Sequence, residues 1–168
     1  MMLTACLLAL ALQEAPADLA SRLSLRGKLL LSEDFSGAEV PGDWKKSKGE
    51  WTLADGALRG KELAADKHAA VIKHPLPAKD FILQLSFRLD GAKQATCSFD
   101  GKGHVCRVIL TPQGFSLRRD VPKNGEEKPQ TLAKGAVELK PGDWHRLLIE
   151  IRGREFLAQV DDKVVAFG

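Results

Sequence analysis

The chain has 168 residues, a length suited to one domain, and 44% hydrophobic residues, enough to build a core. Its 25 Lys and Arg are interspersed with 22 Asp and Glu for a formal net charge of +3. With no basic helix and no long run of one sign, this pattern excludes the electrostatic footprint of a nucleic-acid-binding protein. The pair Arg118-Arg119 reads as a solvated strand edge.

The opening MMLTACLLALALQEAPADLA is apolar from Leu3 to Leu12, shorter than the roughly 20 residues of a membrane helix, so no membrane span is predicted. It ends in Ala15-Pro16-Ala17, small residues of the kind a signal peptidase accepts. The expectation is an export signal over 1–17 cut before Asp18, a linker over 18–27, and a secreted or periplasmic location. The start carries no Lys or Arg, and a buried N-terminal helix is the alternative reading. Cleavage removes Cys6 and leaves two cysteines, an even number that favours a disulfide in an exported chain.

From Leu29 onward the prevailing period is two, the mark of strands with one face buried. In DFILQLSFRL, Phe81, Leu83, Leu85, Phe87 and Leu89 share a face, while Gln84, Ser86 and Arg88 share the other. In WHRLLIEIR, Leu147, Ile149 and Ile151 alternate with Arg146, Glu150 and Arg152. Leu148 breaks that alternation, which predicts a strand covered on both faces. Turns are expected at Asp55-Gly56, Pro112-Gln113-Gly114, Gly153 and Asp161-Asp162, with a short helical turn in GKELAADKHAA and an exposed loop over DVPKNGEEKPQTLAKG. Many short strands joined by hairpins define the predicted fold class, an all-β antiparallel two-sheet sandwich or jelly roll. The chain stops directly after a strand-like DDKVVAFG, so a last strand or strands are expected beyond it.

The stretch CSFDGKGHVC places two cysteines around a glycine-rich turn. A two-residue turn at Gly101-Lys102 sets Cys97 opposite Cys106, within disulfide reach. Free buried thiols are a second reading, and zinc held by Cys97, His104 and Cys106 a third. No fourth ligand and no C-x-x-C or H-x-x-x-H spacing accompanies the zinc set, so no metal or cofactor is expected. Strand parity in this register points Arg107 away from the His104 face.

The histidines are His68, His74, His104 and His145, none of them in a catalytic motif. The carboxylates of Asp34, Asp43, Asp100, Asp143 and Glu150 show no short spacing that pairs an acid with a base for glycoside hydrolysis. G-x-S-x-G and P-loop signatures are absent. Trp44, Trp51 and Trp144 each stand beside a turn at a strand edge, where core or rim packing is the ordinary use.

The sequence LLLSEDFSG followed by Trp44, then GEWTLADGALRG, then PGDWHRLLIEIRGREFLAQVDDKVV resembles the secreted bacterial 3-keto-disaccharide hydrolase-like domain. That domain is a concanavalin A/laminin-G-like jelly roll, and the likeness, of a divergent branch, extends over residues 28–168. The resemblance implies a jelly-roll domain that contacts a glycan or oligosaccharide or a partner surface. His104, Arg107 and Trp144 are the candidate carbohydrate-binding residues. No catalytic residue carries over, because the central and late motifs of the enzymes are replaced here by CSFDGKGHVCRV and QVDDKVV. An active 3-keto-glycoside hydrolase and a structural accessory domain of a larger secreted protein are the alternatives.

Overall fold

The computed structural model describes residues 18–101, 104–121, 128–162 and 164–168, so the expected signal peptide lies outside the described residues. The described chain forms two compact units, Arg26–Lys79 and the combination of 18–25 with Asp80–Gly168. Among the described residues the secondary structure is strand throughout, apart from one 3-10 turn, and no helix is long and apolar enough to cross a membrane.

In the Arg26–Lys79 unit, β1 (Lys45–Lys48) pairs with β4 (Val71–Lys73), and β2 (Glu50–Ala54) pairs with β3 (Ala57–Lys61). The β2–β3 hairpin turns on Asp55-Gly56, both with positive φ (53° and 68°), as a two-residue turn matched to strand twist requires. The 3-10 turn Ala64–Asp66 falls within the segment expected to form one, and Asp66 accepts a 2.6 Å hydrogen bond from the Gly49 amide. Phe35, Trp44 and His74 stack as a small aromatic cluster with centroids 5.3 and 5.0 Å apart, so Trp44 packs inside its unit. Leu29, Leu30 and Leu31, expected to begin the strand pattern, are exposed and belong to no strand. They lie in no strand, strand pairing starts at Lys45, and alternating burial starts in β2.

The second unit is an antiparallel sandwich. One sheet has the order β12-β11-β10-β5, with β5 spanning Phe81–Arg88, β10 Trp144–Arg152, β11 Glu155–Val160 and β12 Val164–Phe167. The other has the order β6-β7-β8-β9, with β6 spanning Ala95–Asp100, β7 His104–Thr111, β8 Gly114–Arg119 and β9 Gln130–Ala136. Two four-stranded antiparallel sheets over one core are consistent with a jelly-roll type of β-sandwich. Val108, Leu110 and Leu117 from one sheet meet Leu147, Ile149, Phe156 and Val160 from the other, and Leu83, Leu85 and Phe87 pack against them.

β10 is the strand on which this unit is built. Leu147, Leu148, Ile149 and Glu150 are all buried, so both of its faces are covered, as the break at Leu148 predicted. Its inner face enters the core. Its outer face lies under residues 18–24, which cross the sheet as a strap rather than running on as the expected linker: the amides of Arg22, Leu23 and Ser24 all donate to the Glu150 carboxylate at 2.7 to 3.0 Å. β9 occupies residues expected to be loop. Its alternation is hidden because Leu132 is an inserted residue, Leu117 pairing with Ala133 and Arg118 with Thr131.

Candidate functional site

The Cys97–Cys106 disulfide is corrected by the register of β6 and β7. Asp100 pairs with His104 across three residues instead of two, and Val105 then bulges, so Cys97 faces Val108 and Cys106 faces Phe99. Each change shifts the register by one. Together they preserve the face and change the partner. Both cysteines therefore still point to the core side, but as diagonal neighbours, for which Cα atoms stand roughly 7–8 Å apart, beyond disulfide reach. Both are free thiols, and burial pushes each up to about 11, the Asp120 charge adding to the effect on Cys106. The zinc alternative needed His104, whose side chain lies outside the described residues.

Arg107 emerges on the outer face of the β6–β9 sheet, between Ser98 on β6 and Arg118 on β8. Two guanidinium groups directly opposite each other repel. Asp120, just past β8 and 4% exposed at its side chain, answers that repulsion. Its Oδ2 accepts from Arg107 Nε at 2.7 Å and its Oδ1 from Arg107 NH2 at 2.6 Å, a bidentate pair. Its main chain is fixed by a 2.8 Å bond from its amide to the Val105 carbonyl, so the bulge that misaligns the cysteines also positions this carboxylate. Arg118 Nε lies 3.8 Å from Asp120 Oδ1, too far for a hydrogen bond, and is a buried donor that makes none. Ile109, Thr111, Ser116 and Lys134 line a shallow depression farther along the same sheet.

Trp144, the third candidate binding residue, starts β10 and shares parity with Leu148 and Glu150, so it belongs to the outer face of the other sheet. It is 53% exposed, with the Arg88 guanidinium 5.1 Å from its ring centroid. Arg107 and Trp144 thus lie on opposite outer faces and do not form one site. Beside Trp144, His145 turns inward against the Phe87 ring and contacts Asp161 through Nδ1 at 3.1 Å. Its Nε2 is buried without a hydrogen bond, sealed from solvent. Asp161 also accepts the Arg146 amide at 2.9 Å. Partial burial works to raise the Asp161 carboxyl, but the Arg146 amide and the His145 ring outweigh it and hold it below the usual carboxylate range. The dyad ties the start of β10 to the β11–β12 turn.

Glu150, Asp120 and the His145–Asp161 dyad are the chemically notable groups, and the sequence pattern signalled only the first, through the apolar Leu148 beside it. Among the described residues no three His, Cys, Asp or Glu side chains converge as a metal set. No protein-family model, curated protein or solved structure matches the chain.

Thiols raised to about 11 hold on the order of one thiolate in a thousand at pH 8. Native protein treated with iodoacetamide at pH 8 is expected to leave Cys97 and Cys106 unmodified by peptide mapping, with both labelled in denaturant. Rapid native labelling, or recovery of a Cys97–Cys106 bridge, contradicts the register given above. For Asp161, the lowered folded-state value means that its stabilisation is present above the ordinary range of about 4 and lost as pH falls through the folded value. Asp161→Asn keeps a side chain tolerant of the positive φ of 52° and is expected to lower stability by about 1 kcal/mol at pH 7. The gap in melting temperature between wild type and variant should narrow below about pH 4. A gap that stays constant down to pH 3 contradicts the assignment.

Proposed function

We propose that the chain is an exported sandwich module of the 3-keto-disaccharide hydrolase-like type that contacts a glycan through the outer face of the β6–β9 sheet. The observation that carries this reading is the pair of adjacent, part-exposed guanidinium groups on this face, Arg107 gripped by Asp120 and Arg118 beside it, with side chains 28% and 38% exposed. The N–H groups of the two forks that reach solvent are donors for an incoming hydroxyl or carbonyl oxygen. Asp120 fixes the Arg107 fork in place, so little side-chain entropy is lost when a ligand arrives. Ser98 and Ser116 share this face by register and supply hydroxyls that both donate and accept, the complement of a polyol.

The reading is non-catalytic. Neither Arg107 nor Arg118 is a proton-transfer group at neutral pH, and the His145–Asp161 dyad, with Nε2 sealed, belongs to the other sheet. Trp144 is a separate exposed ring and is assigned no part in this contact.

A glycan array followed by calorimetry on the retained oligosaccharide tests the proposal. Arg118→Ala is expected to weaken binding about 10- to 100-fold, the worth of one charge-assisted hydrogen bond, with the melting temperature little changed. Arg107→Lys, which keeps the charge and loses the fork, should weaken it as well. An array that retains nothing, or affinity unchanged in both variants, defeats the reading. Turnover of a 3-keto disaccharide by the wild type replaces it with catalysis.

A further inference from the structure

The outer face of the β12-β11-β10-β5 sheet holds the strap in an unusual way. Residues 18–24 belong to no strand. Side chains of the sheet grip the main chain of the strap instead. Gln84 accepts the Leu19 amide at 3.0 Å and donates to the Asp18 carboxylate at 3.1 Å. Glu150 accepts the amides of Arg22, Leu23 and Ser24, and Arg152 donates to the Leu23 carbonyl at 2.6 Å. Gln159 accepts from Arg22 Nε at 3.1 Å. Apart from that bond and the one to Asp18, these contacts read main-chain groups and are indifferent to side-chain identity. Selectivity enters through Leu19, 1% exposed, the one buried side chain of the strap.

Polar side chains that clamp a peptide main chain, together with a single apolar anchor, are the parts of a peptide-binding site. Glu150 and Gln159 are 0% and 1% exposed, so the desolvation of the Glu150 carboxylate is met by strap amides and not by groups of the sheet's own ladder. The strap leads directly into a stretch, 25–34, in which every residue is exposed and none is in a strand, which leaves it free to detach as a unit.

We propose that this face is a peptide-binding site occupied in cis by residues 18–25. Its ligand class is a segment with a leucine anchor followed, three residues on, by a bend whose three successive unblocked main-chain N–H groups converge. The strap of a second copy meets that description. It competes with the cis strap at a disadvantage, because the tether gives the latter an effective concentration of about a millimolar. The site is separate from the proposed glycan face, so each reading stands or falls alone.

The test uses the full chain and a fluorescent peptide of sequence DLASRLSL, residues 18–25. In Leu19→Asp the anchor is lost and the sheet is unchanged, so peptide affinity by anisotropy is expected to rise at least 10-fold over wild type. Adding Glu150→Ala to that variant should abolish the gain. Leu23→Pro, which deletes one N–H donor of the strap, provides the same release by a second route should Leu19→Asp fail to fold. No gain in a released variant that keeps its circular dichroism overturns the proposal, as does equal binding of a scrambled peptide or binding indifferent to Glu150→Ala.

Discussion

A strand buried on both faces must find two coverings, and β10 takes one from each side of its sheet. The inner covering is ordinary: Leu147 and Ile149 join a core shared with β7 and β8. The outer covering is a segment more than a hundred residues away in sequence, held to a buried carboxylate. Burying Glu150 alone costs several kcal/mol. Three amide donors to one carboxylate offset that cost only if Arg22, Leu23 and Ser24 all present their N–H groups to it together. The strap is therefore what lets Glu150 be buried, and the polar groups on this face are explained by what they hold.

The opposite sheet solves a different electrostatic problem. Arg107 and Arg118 are cross-strand neighbours, and their repulsion is relieved by one carboxylate that grips Arg107 through two hydrogen bonds and stands 3.8 Å from Arg118 Nε. The asymmetry follows from position. Asp120 leaves β8 under the pull of the Val105 carbonyl, and this places it beside the Arg107 fork and short of Arg118. The outer face is thus left with a rigid guanidinium, a second, part-exposed one beside it, and flanking hydroxyls. This is the chemistry on which the glycan proposal rests.

The sandwich was legible because its strands obey period two where one face is wet. Leu83 through Arg88 alternate apolar with polar, and the break at Leu148 marks the strand with two covered faces. Turns whose chemistry is local, such as Asp55-Gly56, were equally readable. The cysteine pairing was not, because the alternation is unchanged by a two-residue shift and no local residue announces the bulge at Val105. β9 escaped for the opposite reason, its inserted Leu132 breaking the period. The Leu29–Leu31 run misled in the other direction: apolar residues suggest burial, yet burial needs a partner that three adjacent leucines do not specify. Of the candidate binding residues, Arg107 and Trp144 lie on different sheets because sequence parity relates residues within a strand and is silent between sheets.

The central claim is that the strap closes the outer face of β10 through Glu150. Amide hydrogen exchange of the full chain, resolved at Arg22, Leu23 and Ser24, tests it most directly. These three amides are expected to be protected together in wild type and to lose protection together in Glu150→Ala, while Leu147 and Ile149 on the inner face remain slow. Exchange at free-peptide rates for Arg22 to Ser24 in the wild type contradicts the account, since it leaves the buried carboxylate without its donors.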